Sequence, residues 1–162
     1  MIDDLKINEA LKKRWYDKGY WTHDTIRDVW ERQARANANK EYVADDQGCR
    51  MTYGEVDDAA SRLAAWLVSQ GIKPGDVVTL QFPNWAEFTI AYVACFKAGA
   101  VIQSLARNFN GADLTYAMNL VESRAYIGPT SFHGVDYEQQ ILDIAGDIPT
   151  LKLSLIHISE PT

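Results

Sequence analysis

Long apolar runs, cysteine and an excess of positive charge are what this sequence lacks. Its longest uninterrupted apolar stretch, Ile90 to Phe96, is broken by Lys97, far short of the roughly 20 residues a bilayer span needs. Two cysteines, Cys49 and Cys95, are too few for a disulfide framework and lack metal-ligand spacing. Cys95 sits in an apolar segment and reads as a small buried residue. A formal net charge of -6 offers no basic face to a phosphate backbone, which argues against nucleic-acid binding. Lys12, Lys13 and Arg14 lie among Glu9, Asp17 and other polar residues, so they read as a solvated helix face. Met1 to Tyr20 carries Asp3 and Asp4 and has no apolar core of signal-peptide length. The expectation is a reduced, cytoplasmic setting with no transmembrane segment.

What remains is the composition of an ordinary globular domain, 47% apolar and 23% charged over 162 residues. That length supports one core, not two. Ile7, Leu11 and Trp15 mark a first helix, closed by Gly19-Tyr20-Trp21. Thr25 with Asp28 is a near capping box and opens a second helix with Ile26, Val29, Trp30 and Ala34 on its apolar face. Residues 41–44 and 49–51 flank the turn-rich Asp45-Asp46-Gln47-Gly48, which predicts a hairpin.

Thr52 and Glu55 form a full capping box, followed by Val56, Ala59, Ala60, Leu63, Ala64 and Leu67 at helical spacing. Gly71 stops that helix, and Lys73-Pro74-Gly75-Asp76 is a turn. Val77 to Phe82 reads as a strand. Asn84 with Glu87 is the expected cap of the next helix, which Gly99 closes before a short strand at Ala100-Val101-Ile102. The grammar repeats: Asn110 with Asp113 caps a helix carrying Leu114, Ala117, Met118 and Val121, and Ala125-Tyr126-Ile127 is a further strand. Strands alternating with helices predict an α/β fold with a mostly parallel sheet.

Three of these segments carry a resemblance. Met51-Thr52-Tyr53-Gly54-Glu55-Val56 resembles the first core motif of the adenylate-forming superfamily, which includes acyl-CoA synthetases, aryl-acid adenylating enzymes and peptide-synthetase adenylation domains. Gly71 to Val78 resembles the turn that follows it there, and Phe96-Lys97-Ala98-Gly99-Ala100-Val101 looks like the second core motif. Each is weak alone; together they stand in family order at family-like spacing, and the resemblance runs from about Trp15 to Lys152. Pro83 to Thr89 is most similar to acid–CoA ligases of short- or medium-chain or alicyclic acids. Gly19-Tyr20-Trp21 is similar to the start of dihydroxybenzoate-type aryl-acid ligases. The sequence departs from the family at Leu105-Ala106-Arg107-Asn108-Phe109, where many members have a proline, so a different loop path is expected.

The resemblance implies the N-terminal part of the large domain of an AMP-forming ligase. Such an enzyme joins a carboxylic acid to coenzyme A through an acyl-adenylate, with ATP and Mg2+. The Ser/Thr/Gly-rich loop ending in Lys, the later acidic motif and the mobile-domain lysine that serve the phosphates in that family do not occur here. Neither G-x-x-x-x-G-K-S/T nor G-x-G-x-x-G occurs either. No carboxylate pair, metal-ligand cluster or nucleophile–histidine arrangement stands out, so no catalytic, cofactor-binding or metal-binding residue is assigned. The chain alone is expected to be inactive and to bind none of those cofactors well.

Other side chains have plain explanations. The capping boxes and the second motif shape helix ends and strand starts. His133, after Pro129-Thr130-Ser131-Phe132, is either a cleft-lining residue or an ordinary surface histidine, and His23 has the same status. Arg107 is the basic residue of the unusual loop and a candidate for an anionic ligand. Trp15, Trp21, Trp30, Trp66 and Trp85 are spread over separate elements and read as packing.

Residues 153–162 stand apart from residues 1–152. Back-translated as CTG TCT CTT ATA CAC ATC TCC GAG CCC ACG, they resemble a transposon-based sequencing-library adapter read in frame; the other reading is a native strand with Leu153 and Leu155 alternating. On the adapter reading, His157 and Ser159 carry no chemistry. Three readings of function follow: an acid–CoA ligase fragment, an aryl-acid adenylating enzyme feeding a carrier protein, or a self-contained α/β binding module.

Overall fold

The computed structural model describes residues 8–156, with side chains as far as Ser154. Ile7, His157 and Ser159 lie outside the described residues. Helix α1 (Glu9–Asp17) is capped by Asn8, whose Oδ1 accepts from the Ala10 and Leu11 amides. Helix α2 (Ile26–Ala36) starts at Thr25 with the expected box: the Asp28 amide donates to Thr25 Oγ1 and the Thr25 amide to Asp28 Oδ2. Strands β1 (Glu41–Ala44) and β2 (Arg50–Thr52) pair antiparallel as the predicted hairpin. Helix α3 (Tyr53–Ser69) follows the Thr52–Glu55 box.

Strand β3 (Val77–Leu80), helix α4 (Ala86–Ala98), strand β4 (Val101–Ser104), helix α5 (Gly111–Leu120) and strand β5 (Ala125–Gly128) continue the alternation. A short hairpin, β6 (Ser131–Phe132) and β7 (Val135–Asp136), then leads into helix α6 (Tyr137–Ile144). One 3-10 turn at Ala145–Asp147 precedes strand β8 (Leu153–Ile156).

The main sheet runs β4-β3-β5-β8 with every neighbour parallel. From β3 the chain moves one way through α4 to β4, then reverses through α5 to β5. With right-handed crossovers the reversal puts α4 on one face and α5 and α6 on the other. Side-chain alternation along the strands matches this. Val78, Leu80, Ala125 and Ile127 join α2, α3 and α4 in the larger core. Tyr126 faces the other way, onto Leu114, Met118, Ile141 and Ile148. Small residues on α3 (Ala60, Ala64) and α4 (Ala91, Ala94, Ala98), all buried, bring these two helices close together.

Two sequence expectations are corrected. Asn84 does not cap α4. The Trp85 amide donates to Pro83 O at 2.8 Å, and this tight turn leaves Trp85 at the cap position with no side-chain bond. The carboxylate of Asp45 supplies the acceptor instead, 3.0 Å from the Ala86 amide. Strand β3 is also shorter than expected, ending at Leu80, although the Gln81 amide still donates to Ile127 O.

Asp57 joins the three helices α2, α3 and α4. Its Oδ1 accepts from Trp30 Nε1 at 2.6 Å and pairs with Lys97 Nζ at 2.7 Å. Lys97 belongs to the segment resembling the second core motif, so that motif has a structural task here: it ties α4 to α3 and α2.

Candidate functional site

In an open parallel sheet, ligands collect outside the carboxyl ends of the strands, where the winding reverses. Here that place lies between β3 and β5. A cleft of about 250 Å³ opens there, lined by Phe82, Trp85, Glu87 and the segment Gly128 to Ser131. The β3 end supplies its apolar wall and the β5 end its polar lip.

Gly128 is required by its neighbour two residues back on the same sheet face. A Cβ built there would stand 2.6 Å from the Tyr126 hydroxyl and 2.9 Å from its ring. The Tyr126 hydroxyl in turn donates to Gln81 Oε1 at 2.9 Å, inside the protein. Burial drives the Tyr126 phenol well above its usual pKa. It therefore stays protonated and remains a donor.

Beyond the lip, the His133-Gly134 pair forms the tip of the β6–β7 hairpin with φ of 49° and 80°. Positive φ at both central residues is the requirement of a type I′ turn. His133 stacks on Phe132 at 4.0 Å between ring centroids, and Phe132 meets Trp85 edge-on at 5.3 Å. The Arg107 guanidinium lies over the Phe132 ring at 5.6 Å. Three residues that the sequence left unconnected, Trp85, Arg107 and His133, thus meet on Phe132 beside the cleft. His23 is elsewhere, stacked on Tyr16. Trp15 packs on Trp21, Trp30 is in the core, and Trp66 borders it.

The residues that hold this rim were not legible as a site. Gln81 Nε2 donates to Ala106 O and Phe109 O, Tyr137 Oη to Arg107 O, and Gln140 Nε2 to Phe109 O. The proline-free loop at 105–109 is thus held by a side chain just past the end of β3 and by side chains of α6. One signal for α6 was available: Asp136 with Gln139 three residues on is a capping pattern, and the Gln139 amide does donate to Asp136 Oδ1 at 2.8 Å.

Residues 30–161 match the family described as AMP-binding enzyme. The chain belongs to the AMP-binding enzyme family. It is 34% identical over 148 residues to the medium-chain fatty-acid–CoA ligase of Escherichia coli (strain K12), covering 91% of this chain and 26% of that protein. It is 28% identical over 144 residues to the 2,3-dihydroxybenzoate-AMP ligase of Bacillus subtilis (strain 168), covering 89% of this chain and 26% of that protein. Among solved structures it resembles apo MbtA of Mycobacterium smegmatis, with a TM-score of 0.83, 26% identity and coverage of 94% of this chain and 28% of that one. The N-terminal domain of FACL13 from Mycobacterium tuberculosis shares the fold, with a TM-score of 0.72, 22% identity and coverage of 82% and 34%. The chain spans about a quarter of the length of the curated AMP-binding relatives it matches. It has the α/β fold of the N-terminal part of adenylate-forming enzymes, as its motifs implied.

A free helix N-terminus is a ready anion site, and each of the six helices among the described residues has a carboxylate at or beside its first turn. These are Glu9, Asp28, Glu55, Asp45, Asp113 and Asp136 for α1 to α6 in order. The α4 N-terminus, beside the cleft, is the position a nucleotide phosphate would take in many doubly wound sheets, and Asp45 fills it. No group of three His, Cys, Asp or Glu able to hold a metal ion occurs among the described residues. None of their helices is long and apolar enough to cross a membrane.

Proposed function

We propose that this chain is the N-terminal portion of an ATP-dependent, AMP-forming ligase that activates a short- or medium-chain or alicyclic carboxylic acid as its coenzyme A thioester. The observation that carries the reading is likeness to a medium-chain fatty-acid–CoA ligase over 91% of the chain. Both core-motif segments lie inside that likeness, on α3 and at the α4–β4 junction. This portion supplies a scaffold and one wall of a cleft. On this reading, groups for the triphosphate and Mg2+ lie in sequence beyond it, since no phosphate-loop pattern occurs in the chain and no group of three metal-ligating side chains occurs among the described residues. Arg107 at the cleft mouth is the side chain available to an anionic part of a ligand, with Phe132 and Trp85 as an aromatic floor. The expected setting is cytoplasmic.

A second reading, aryl-acid activation, draws on the 2,3-dihydroxybenzoate-AMP ligase likeness and on Gly19-Tyr20-Trp21. Acid-dependent ATP–pyrophosphate exchange separates the two. The full-length enzyme is expected to exchange with hexanoate to decanoate, and the 162-residue chain to give background with every acid. Exchange confined to salicylate and dihydroxybenzoate selects the aryl reading. Exchange by the short chain above a no-protein control overturns the assignment of the phosphate groups to the missing sequence. No exchange by the full-length enzyme with any acid overturns the ligase reading itself.

A further inference from the structure

The proposed function gives no task to Gln81, yet Gln81 is fully buried in a protein whose other fully buried polar side chains are Thr79 and Ser123 among the described residues. Those two bond to each other, and Thr79 also reaches Gln103, within the sheet and its neighbours. Gln81 instead points its amide at a loop. Its Nε2 donates to Ala106 O at 3.1 Å and to Phe109 O at 3.3 Å, while its Oε1 accepts from Tyr126 at 2.9 Å. One amide thereby fastens both ends of the segment that carries Arg107. Tyr137 takes the carbonyl between them, Arg107 O, at 2.9 Å. Every hydrogen-bonding group of the Gln81 side chain is used, so its rotation is fixed from the sheet side by Tyr126 and from the loop side by two carbonyls.

We propose that Gln81 is a positioning residue for the cleft between β3 and β5, acting through the 105–109 loop to hold the Arg107 guanidinium over Phe132. The loop has no proline to stiffen it. Arg107 is exposed at its side chain and its ring contact at 5.6 Å is a weak restraint, so the backbone carbonyls determine where the cation stands. A cation displaced by about 1 Å from a ligand's charge loses most of its value in an ordered site. What binds at the cleft rests on the ligase reading; what Gln81 holds does not.

The test uses Gln81→Met, which keeps the volume and removes all three bonds, and Tyr126→Phe, which removes the sheet-side bond and leaves both loop donations. Arg107→Ala marks the ligand that the cation serves. In the full-length enzyme, Gln81→Met should raise the KM of the same substrate as Arg107→Ala, by about tenfold, and leave the KM of the others within twofold. The double variant should be no worse than Arg107→Ala alone, because both act through one contact. Tyr126→Phe should lower Tm without that KM change. In the 162-residue chain, hydrogen exchange at residues 105–109 should speed up in Gln81→Met and stay slow in Tyr126→Phe. Unchanged exchange at the loop in Gln81→Met, or KM effects that multiply in the double variant, overturns the proposal. If the full-length enzyme shows no acid-dependent exchange, the ligase reading fails while the loop measurement still decides the role of Gln81.

Discussion

Asp45 and Ala86 are 41 residues apart in sequence, yet the Asp45 carboxylate accepts the Ala86 amide at 3.0 Å and closes the N-terminus of α4. The other oxygen of the same carboxylate accepts from the Gln47 and Cys49 amides, so one side chain organises the hairpin turn and caps a distant helix. The negative charge also suits the positive end of the helix dipole. Asp45→Ala should cost about 1–2 kcal/mol in urea unfolding. Asp45→Asn keeps one acceptor oxygen but sets its NH2 against an amide donor on the other side, so it should recover little and lose either the turn or the cap. An Asp45→Asn variant as stable as the parent would show that one of the two sets of bonds is dispensable.

Gly128→Ala should be more severe than its size suggests. The new methyl overlaps the Tyr126 hydroxyl and ring, which cannot retreat without leaving Gln81. The expected loss is about 2–3 kcal/mol. Adding Tyr126→Phe should relieve part of the clash, so the double variant should be more stable than the sum of the singles predicts. A neutral Gly128→Ala would mean that the ring moves freely and the buried bond is dispensable.

Acid should loosen the chain through its caps. The Thr52 amide and hydroxyl hold the Glu55 carboxyl below its ordinary value of 4.5. The Thr25 hydroxyl and amide hold Asp28 below 3.8. A pKa depressed on folding contributes stability above the unfolded value and loses it as pH falls through the folded one. Tm should therefore be level from neutral pH to about pH 5 and fall below it. Glu55→Gln should flatten part of that fall; an unaltered acid limb in this variant would remove the cap from the account.

Cys95 offers a probe of opening. Burial pushes its thiol up to about 12, and it is fully buried among α4 contacts. Its native state should be inert to an aromatic disulfide reagent at pH 8, because the thiolate is the nucleophile. In a Cys49→Ser background, labelling should proceed at the rate of global unfolding and respond to urea with the full unfolding slope. Rapid labelling without urea dependence would place Cys95 in a locally opening segment.

Residues 153–162 invite a test at the level of DNA. We propose, from their back-translation, that they derive from a sequencing adapter. Strand β8 pairs in parallel with β5 through the main chain, which any β-compatible sequence can do, and Leu153 rests against the larger core. The native gene is expected to diverge from this sequence after Lys152, and replacing the ten residues with the native ones should raise Tm. Genomic DNA that encodes the same ten residues and continues in frame overturns the proposal.

Much of the architecture follows from local rules that the sequence states by itself. The boxes at Thr25, Thr52 and Asn110 each bond as their residues imply, since both partners sit within one helical turn. Alternation of strand and helix patterns was enough for a parallel α/β sheet, and the two core-motif segments for the family. Three things were decided only in three dimensions. Asn84 looked like a cap, but the turn at Pro83 moved the helix start and a remote aspartate took the role. Strands β6 and β7 have two residues each, too few for any period to show. The cleft and its rim join Phe82 after β3, Arg107 after β4 and Phe132 after β5. Local sequence records a cap when both partners lie within one turn; it records neither a remote cap nor which strand lies beside which. The order β4-β3-β5-β8 comes from burying two opposite faces of one sheet, and that order alone brings Gln81, Tyr126 and Arg107 together.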